Sequence, residues 1–350
     1  MTRYRKRIRM TKGNIRPTQK TIAEMTGLAV TTVSRALQGD PKIAEATRRE
    51  VARVASEIGY VPDRAAQRLR TGKTRVITLV LNPWDEMLDF GSSMITGLSQ
   101  SLRGTDYHLT ITPTFTEDDD MEPIRRLVQN NLADAIVLTR TRNFDERIRY
   151  LLEKDFPFIS HGRTDFSQAH NFVDFDNEAF AYRAATRLAN KGCKKIAIIL
   201  PRDQFTLHQH LRYGFMKAVS ERGMDYVIPE NLSLESSVTD MRGWVDSYFG
   251  PNGPNDIDGF VCLGEGSYLA VHSGLRELGR QRGVDYHAVV KTNSVILEQI
   301  HPGLERFSED IREAGELMGR AMLAQLRGET SGVQQIIQTP QAVFTETDGS

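Results

Sequence analysis

Apolar positions along the chain change their period once. Between residues 18 and 58 they recur at the three- and four-residue spacings of short amphipathic helices: Ile22, Ala23 and Met25, then Val33, Ala36 and Leu37, then Val51, Val54 and Ile58. Gly27 stands between the first two sets. A glycine in a short turn joining two amphipathic helices is the helix-turn-helix pattern. Tyr60-Val61-Pro62 ends the third set, because proline cannot continue the hydrogen-bond ladder.

From Arg75 onward, short apolar runs of strand length alternate with helical patterns. Residues 76–81, 107–112, 135–138 and 156–160 read as strands and 91–102 as a helix. A second series begins near Val173. Residues 195–200, 259–263 and 288–291 read as strands, and 179–190, 211–222 and 268–278 as helices; 311–326 is a further helix. Strands that alternate with helices predict parallel sheets covered on both faces, and two series predict two doubly wound lobes with a cleft between them. The expected fold class is α/β, with a small all-α helix-turn-helix headpiece in front of a two-lobed regulatory domain.

Charge sharpens this division. The 350-residue chain is 39% hydrophobic and 26% charged, with 45 basic and 45 acidic residues and a net charge of zero. Residues 1–75 hold 18 of the basic and 6 of the acidic residues, which leaves 27 and 39 for the remainder, balances of +12 and −12. A basic head on an acidic body points to nucleic acid at one end only. Residues 1–17 form a basic arm with Arg3, Arg5, Lys6, Arg7, Arg9, Lys12 and Arg16. It reads either as a disordered tail or as a source of extra phosphate contacts.

The second helix carries the chemistry of the headpiece. Thr31, Ser34 and Arg35 share one face at i, i+3 and i+4, away from its apolar side. Such a face can set side chains against base edges in a major groove, or it can be an ordinary solvated surface. An arginine there can make two parallel hydrogen bonds to a guanine, and Val30 can pack on a thymine methyl.

The run from Ile22 to Leu37, Ile-Ala-Glu-Met-Thr-Gly-Leu-Ala-Val-Thr-Thr-Val-Ser-Arg-Ala-Leu, resembles the headpiece signature of the lactose-repressor/galactose-repressor family of transcriptional regulators. So does the run from Ile58 to Gly72, Ile-Gly-Tyr-Val-Pro-Asp-Arg-Ala-Ala-Gln-Arg-Leu-Arg-Thr-Gly. The resemblance extends to about residue 345. It implies a sequence-specific DNA-binding regulator with a periplasmic-binding-protein-like effector domain, most plainly a repressor of carbohydrate uptake or catabolism genes. By the same resemblance Val30, Thr31 and Arg35 read bases, and Leu69 is the hinge leucine that wedges into the minor groove. Thr18, Thr32, Ser34, Arg64 and Gln67 complete the expected DNA-contacting set. Ala29 and Ala44 depart from the family, which usually places a capping serine there.

The expected organisation is an arm at 1–17, a helix-turn-helix domain at 18–62, a hinge at 63–74 and an effector-binding and dimerisation domain at 75–350. Within the last, the first lobe is expected at about 75–173 and 307–333, and the second at about 174–306 and 334–350. No heptad-patterned tail of the kind that assembles tetramers follows, so a homodimer on a palindromic double-stranded operator is expected.

Ligands of such sheets bind outside the carboxyl ends of strands. The residues expected there are Asp89, Phe90, Arg140, His161, Arg163, Phe175, Arg212, Glu265 and Asn293. A mixture of carboxylate, guanidinium and aromatic groups suits a sugar. Bland alternatives stand beside it: His161 as a satisfied structural histidine, Phe175 as core and Arg163 as a structural ion-pair partner. Three departures from the family pattern imply altered effector specificity. Leu211 occupies the usual arginine position, with Arg212 one later; Asn293-Ser294 replaces an Asp-Asp pair; and Gly264-Glu265 replaces Asn-Asp.

Other classes fit less well. No P-loop, G-x-S-x-G, dinucleotide-binding fingerprint or metal-ligand spacing is present, so neither a cofactor nor catalysis is expected. A solute-binding protein is disfavoured by the attached headpiece and by an N-terminus without the apolar core of a secretion signal. Control of the same scaffold by a non-sugar metabolite or a protein co-regulator remains an alternative. Cys193 and Cys262 lie in apolar stretches and read as buried thiols. No segment has the apolar length of a membrane span, and the expected location is cytoplasmic.

Overall fold

The computed structural model describes residues 17–61, 68, 71–82, 87, 89–115, 119–330 and 332–344. The chain divides into two compact units at Thr74/Arg75.

The first unit contains α1 (Gln19–Thr26), α2 (Val30–Leu37) and α3 (Glu45–Glu57). Thr18 caps α1: its hydroxyl accepts the Thr21 N–H, and the Thr21 hydroxyl accepts the Thr18 N–H. Gly27 ends the helix at φ +69°, a left-handed conformation that costs a residue without Cβ little. Ile22, Ala23, Val33, Ala36, Val51, Val54 and Ala55 form the core. Met25 does not join them and is 50% exposed. At roughly 100° per residue, Met25 lies about 110° from the centre of the face shared by Ile22, Ala23 and Thr26. The Thr26 side chain returns its hydroxyl to Ile22 O at 2.8 Å and takes the half-buried place expected for the methionine. Ala29 and Ala44 stand at the N-cap positions of α2 and α3, and neither helix start has a side-chain cap.

The second unit holds two six-stranded sheets. The first comprises β1 (Val76–Leu81), β2 (His108–Pro113), β3 (Ala135–Leu138), β4 (Phe158–His161), β5 (Phe172–Phe175) and β11 (Gln335–Gln338), in the order β11-β5-β4-β3-β1-β2 with every pairing parallel. The second comprises β6 (Lys195–Ile198), β7 (Asp225–Val227), β8 (Gly259–Cys262), β9 (His287–Lys291), β10 (Glu305–Ser308) and β12 (Gln341–Val343), in the order β12-β10-β9-β8-β6-β7. Its edge strand β12 is antiparallel to β10. β3, β5 and β8 are buried along their whole length and carry almost continuous apolar runs, as strands covered on both faces require.

Helices cover both sheets. α4 (Phe90–Ser101), α5 (Met121–Gln129), α6 (Glu146–Glu153) and α12 (Ile311–Arg327) belong to the first lobe. α7 (Asn177–Asn190), α8 (Thr206–Arg222), α9 (Val238–Phe249), α10 (Glu265–Glu277) and the short α11 (Val295–Ile300) belong to the second. α7 and α8 meet at Gly214, where a Cβ would lie 2.1 Å from Glu178 O, so only glycine admits this approach. Leu211, one turn earlier on α8, is fully buried in the core between them.

Three connections link the lobes: β5 to α7, β10 to α12, and β11 to β12. The first two crossings fall slightly later than expected, because β5 runs to Phe175 and β10 to Ser308. The third is corrected more substantially. Residues 335–338 pair with β5 in the first sheet, and only the strand after Pro340 joins the second. The alternating burial of β11 suits an edge strand, and edge strands carry the weakest sequence signal of a parallel sheet.

Both cysteines are buried thiols outside any disulfide. Burial pushes the Cys193 thiol up to about 12, so it stays protonated. Among the described residues no helix is long and apolar enough to cross a membrane.

Candidate nucleic-acid interface and ligand cleft

The reading face of α2 is built by exclusion from the core. Val33 and Ala36 are buried with Leu37 packed beside them, which turns Thr31 and Arg35 outward on the opposite side. Val30 is 44% exposed in the first turn, and Thr32 and Ser34 are half-buried on the flanks. Arg35 Nε donates to Asp40 Oδ2 at 2.8 Å, which orients the guanidinium through one nitrogen. The Lys42 N–H and then Arg35 hold the Asp40 carboxyl below the ordinary carboxylate range. Ser34 accepts from Gln38 Nε2 at 3.1 Å. Thr18 is exposed at the N-terminus of α1. Arg64, Gln67 and Leu69 lie outside the described residues.

In the second unit a cleft opens between the lobes, at the carboxyl ends of both sets of strands. Phe90, Arg140, His161 and Arg163 line it, as the strand-end argument expected. Five other expected residues go elsewhere. Phe175 is fully buried in the second lobe's core. Asp89 is exposed at the start of α4, where it accepts from the Ser93 hydroxyl at 3.0 Å. Arg212 lies on the outer face of α8, in an open groove with His208 and Tyr213. Glu265 is buried at the start of α10 and accepts from the Thr292 hydroxyl. Asn293 bonds Ser308 and the Glu309 carbonyl and faces another surface groove with Arg306 and Asp310. One physical reason covers most of these cases. The strand-end rule locates the rim of a sheet, but the helix after each strand turns successive residues to different sides within one turn.

The cleft wall instead recruits Met87, Thr141, Asp174, Asn177, Phe205, Thr206, Glu235, Lys291 and Glu309, which were not anticipated. Asp174, Lys291 and Glu309 end or follow strands, so the same rule applied to every strand reaches them. Phe205 and Glu235 sit in loops whose positions depend on the second lobe's packing.

Three ion pairs shape the walls. Arg140 Nη2 lies 2.7 Å from Glu235 Oε1 across the cleft, with its guanidinium stacked 4.4 Å from the Phe205 ring. Arg140 adopts φ +55°, an uncommon conformation for a residue with Cβ that places its side chain against the opposite lobe. Arg163 pairs with Asp174. Lys291 Nζ lies 2.6 Å from Glu309 Oε2 with both side chains almost wholly buried; it also donates to Asn177 Oδ1 at 3.2 Å and sits over the Phe175 ring. Arg163 thus has the ion-pair role named as its alternative and still faces the cleft. His161 is the opposite case: its Nε2 is buried without a hydrogen-bond partner among the described residues and lies 3.9 Å from Glu309 Oε1. Burial lowers the His161 pKa and so favours the neutral imidazole, and Glu309 opposes this in part.

One side of the cleft is closed by backbone. Arg142 and Phe205 form an antiparallel bridge, the Asn143 N–H donates to Gln204 O at 3.0 Å, and the Thr206 N–H donates to Thr141 O at 3.3 Å.

Known proteins share this fold. Residues 76–300 match the model of periplasmic binding proteins and the sugar-binding domain of the LacI family, and residues 18–63 match that of bacterial regulatory proteins of the lacI family. The HTH-type transcriptional regulator AglR of Rhizobium meliloti is 30% identical over 315 residues, covering 87% of this chain and 86% of that one. The regulator CelR of Thermobifida fusca is 27% identical over 326 residues, covering 90% and 94%. Among solved structures, the fold is shared with a lac repressor dimer bound to operator and an anti-inducer, at a TM-score of 0.77 and 15% identity, covering 94% of this chain and 98% of that one. A CelR–cellobiose complex matches at 0.67 and 21%, with the same coverage. With a headpiece model and a regulatory-domain model matching in series, and a relative aligned along most of both chains, this chain belongs to the LacI family of DNA-binding transcriptional regulators.

Proposed function

We propose that the chain is a repressor of carbohydrate uptake or catabolism genes, acting in the cytoplasm as a homodimer on a palindromic operator and controlled by a sugar in the inter-lobe cleft. The cleft carries this reading. Aromatic rings, guanidinium groups and buried carboxylates converge in one cavity between two lobes, and that combination stacks on a sugar's apolar face and bonds its hydroxyls. The CelR–cellobiose complex supports the ligand class, since it joins the same fold to a saccharide.

At the DNA, Arg35 is assigned to a guanine, Thr31 and Ser34 to neighbouring base edges and Val30 to a thymine methyl. Thr18 and Thr32 are assigned to phosphates, and Arg64, Gln67 and Leu69 to the hinge contacts implied by the family resemblance. Two reading helices related by a twofold axis ask for half-sites about one helical turn apart. Sugar and operator are coupled when the sugar binds the two lobe arrangements unequally, typically by 1–3 kcal/mol.

The test is selection of binding sites from a random duplex pool, followed by fluorescence anisotropy on the winning sequence with and without saccharides. A palindrome whose affinity shifts with one saccharide is the expected result. Recovery of asymmetric sites only would remove the dimeric reading, and an operator affinity indifferent to every saccharide would remove sugar control.

A further inference from the structure

We propose that the cleft selects an uncharged, polyhydroxylated ligand and excludes phosphorylated or carboxylated analogues, with Glu309 and His161 reading a ligand hydroxyl and Lys291 positioning Glu309. The inference rests on the sugar-cleft reading above and narrows it to one chemical class.

Charge is balanced within the cleft. Each cation that lines the cleft already faces a carboxylate: Arg140 faces Glu235, Arg163 faces Asp174 and Lys291 faces Glu309. An anionic ligand would have to break one of these pairs or add an uncompensated negative charge to a largely buried site, and both are costly. A neutral ligand meets neither penalty.

Hydrogen bonding in the cleft points to a hydroxyl. His161 Nε2 is buried and without a hydrogen-bond partner among the described residues. Lys291 Nζ holds Glu309 Oε2 at 2.6 Å, which leaves Oε1 as the carboxylate oxygen nearest His161. Unsatisfied buried polar atoms are uncommon and ask for an occupant. His161 Nε2 and Glu309 Oε1 are 3.9 Å apart, too far to bond each other. A single oxygen at about 2.8 Å from each spans that gap. A hydroxyl meets both demands, because it donates to the carboxylate and presents lone pairs to an imidazole N–H. Phe90 packs edge-on against His161 with ring centroids 5.5 Å apart and supplies apolar surface beside that seat.

The location adds a consequence. Asn177 follows the β5–α7 crossing and Glu309 follows β10 at the next one, and Lys291 touches both. The proposed reading group therefore lies where the chain passes between lobes.

The experiment is isothermal titration of the full chain with glucose, cellobiose, maltose and raffinose, alongside glucose 6-phosphate and glucuronate, for the wild type, Glu309→Gln and His161→Gln. At least one neutral saccharide is expected to bind, with the phosphate and the uronate at least about tenfold weaker than it. Glu309→Gln removes a charged acceptor and should weaken neutral binding by about tenfold or more. It also leaves Lys291 without its carboxylate, so the preference for neutral over phosphorylated sugar should shrink. That ratio is insensitive to a general loosening of the fold. His161→Gln keeps a polar side chain and should weaken neutral binding without changing the ratio, which covers the case in which Glu309→Gln does not fold. Tighter binding of glucose 6-phosphate or glucuronate than of any neutral sugar overturns the inference and leaves the sugar cleft standing. No binding of any saccharide, charged or neutral, overturns both. Unchanged neutral affinity in both variants removes Glu309 and His161 as readers.

Discussion

Arg140 and Glu235 come from different lobes and meet at 2.7 Å, with 16% and 5% of their side chains exposed. Glu235 also accepts the Arg202 N–H at 2.9 Å, so one carboxylate holds both the opposite lobe and its own loop. A pair this buried contributes little net stability relative to apolar packing, yet removing one partner leaves an uncompensated charge, at about 3 kcal/mol. Arg140→Ala should therefore destabilise the regulatory unit more than Glu235→Ala, because the Glu235 carboxylate it leaves behind is buried, whereas an Arg140 left without Glu235 can turn toward the open cleft. A double-mutant cycle by urea unfolding checks the pair; a coupling energy below about 0.5 kcal/mol would show that the two residues act independently.

At the headpiece, Arg35→Ala should lose about 1–3 kcal/mol of discrimination at one guanine per half-site while the headpiece stays folded. Folding is preserved because Arg35 contributes only an exposed ion pair with Asp40, and such pairs add little stability. Binding to operators substituted at each base pair measures it. Uniform weakening at every position would make Arg35 a phosphate contact instead.

Caps offer a gain in stability. Ala29→Ser and Ala44→Ser each place an acceptor at a helix start that has no side-chain cap, for about 1 kcal/mol apiece. The readout is amide exchange in α2 and α3. Exchange no slower than in the wild type would mean that the local backbone geometry cannot use the serine.

Gly214→Ala should be severe. The added methyl carbon would fall 2.1 Å from the Glu178 carbonyl oxygen, so α7 and α8 must separate, at a cost of more than about 2 kcal/mol. Gly97→Ala should act alike on the α4–α12 contact, where the clash is with Arg312 O at 2.0 Å. The thermal midpoint of each variant tests this; an unshifted midpoint would mean that these helix contacts give way freely.

Stability should fall on mild acidification. Burial holds His272 down to about 4 and also lowers His161, His170, His210, His287 and His301 below the ordinary histidine value. For a histidine depressed in the folded state, the unfolded chain takes up protons first. Stability is full above the unfolded value near 6.5 and declines as pH drops toward each folded value. Urea midpoints should thus decrease steadily from pH 7 to pH 5, before the carboxylates titrate. His272→Asn should flatten part of that slope, and an unaltered slope would remove His272 from the effect. The variant also loses the 2.8 Å contact between His272 Nδ1 and the Tyr286 hydroxyl, so the comparison concerns slope and not the absolute midpoint.

Local patterns determined most of the architecture. The three helices of the headpiece, the alternation of strand and helix after Arg75 and the outward face of Thr31 and Arg35 all follow from apolar spacing, because burial of one face is a local constraint repeated along each element. Motif residues such as Gly27 add to this, since their backbone requirement is written at one position. Only the tertiary structure decided the rest. Met25 and Thr26 trade places because the direction of the headpiece core is set by the other two helices. β11 joins the first sheet and β12 the second through strand pairing, which leaves little trace in two short, partly exposed edge strands. In the cleft, the strand-end rule reached Phe90, Arg140, His161 and Arg163, whereas Phe175 and Glu265 were drawn into packing. The partners that give these residues meaning, Glu235 for Arg140 and Glu309 for His161, lie 95 and 148 positions away in the chain. Such pairs form only when the two lobes are assembled, so nothing in the periodicity of either segment could announce them.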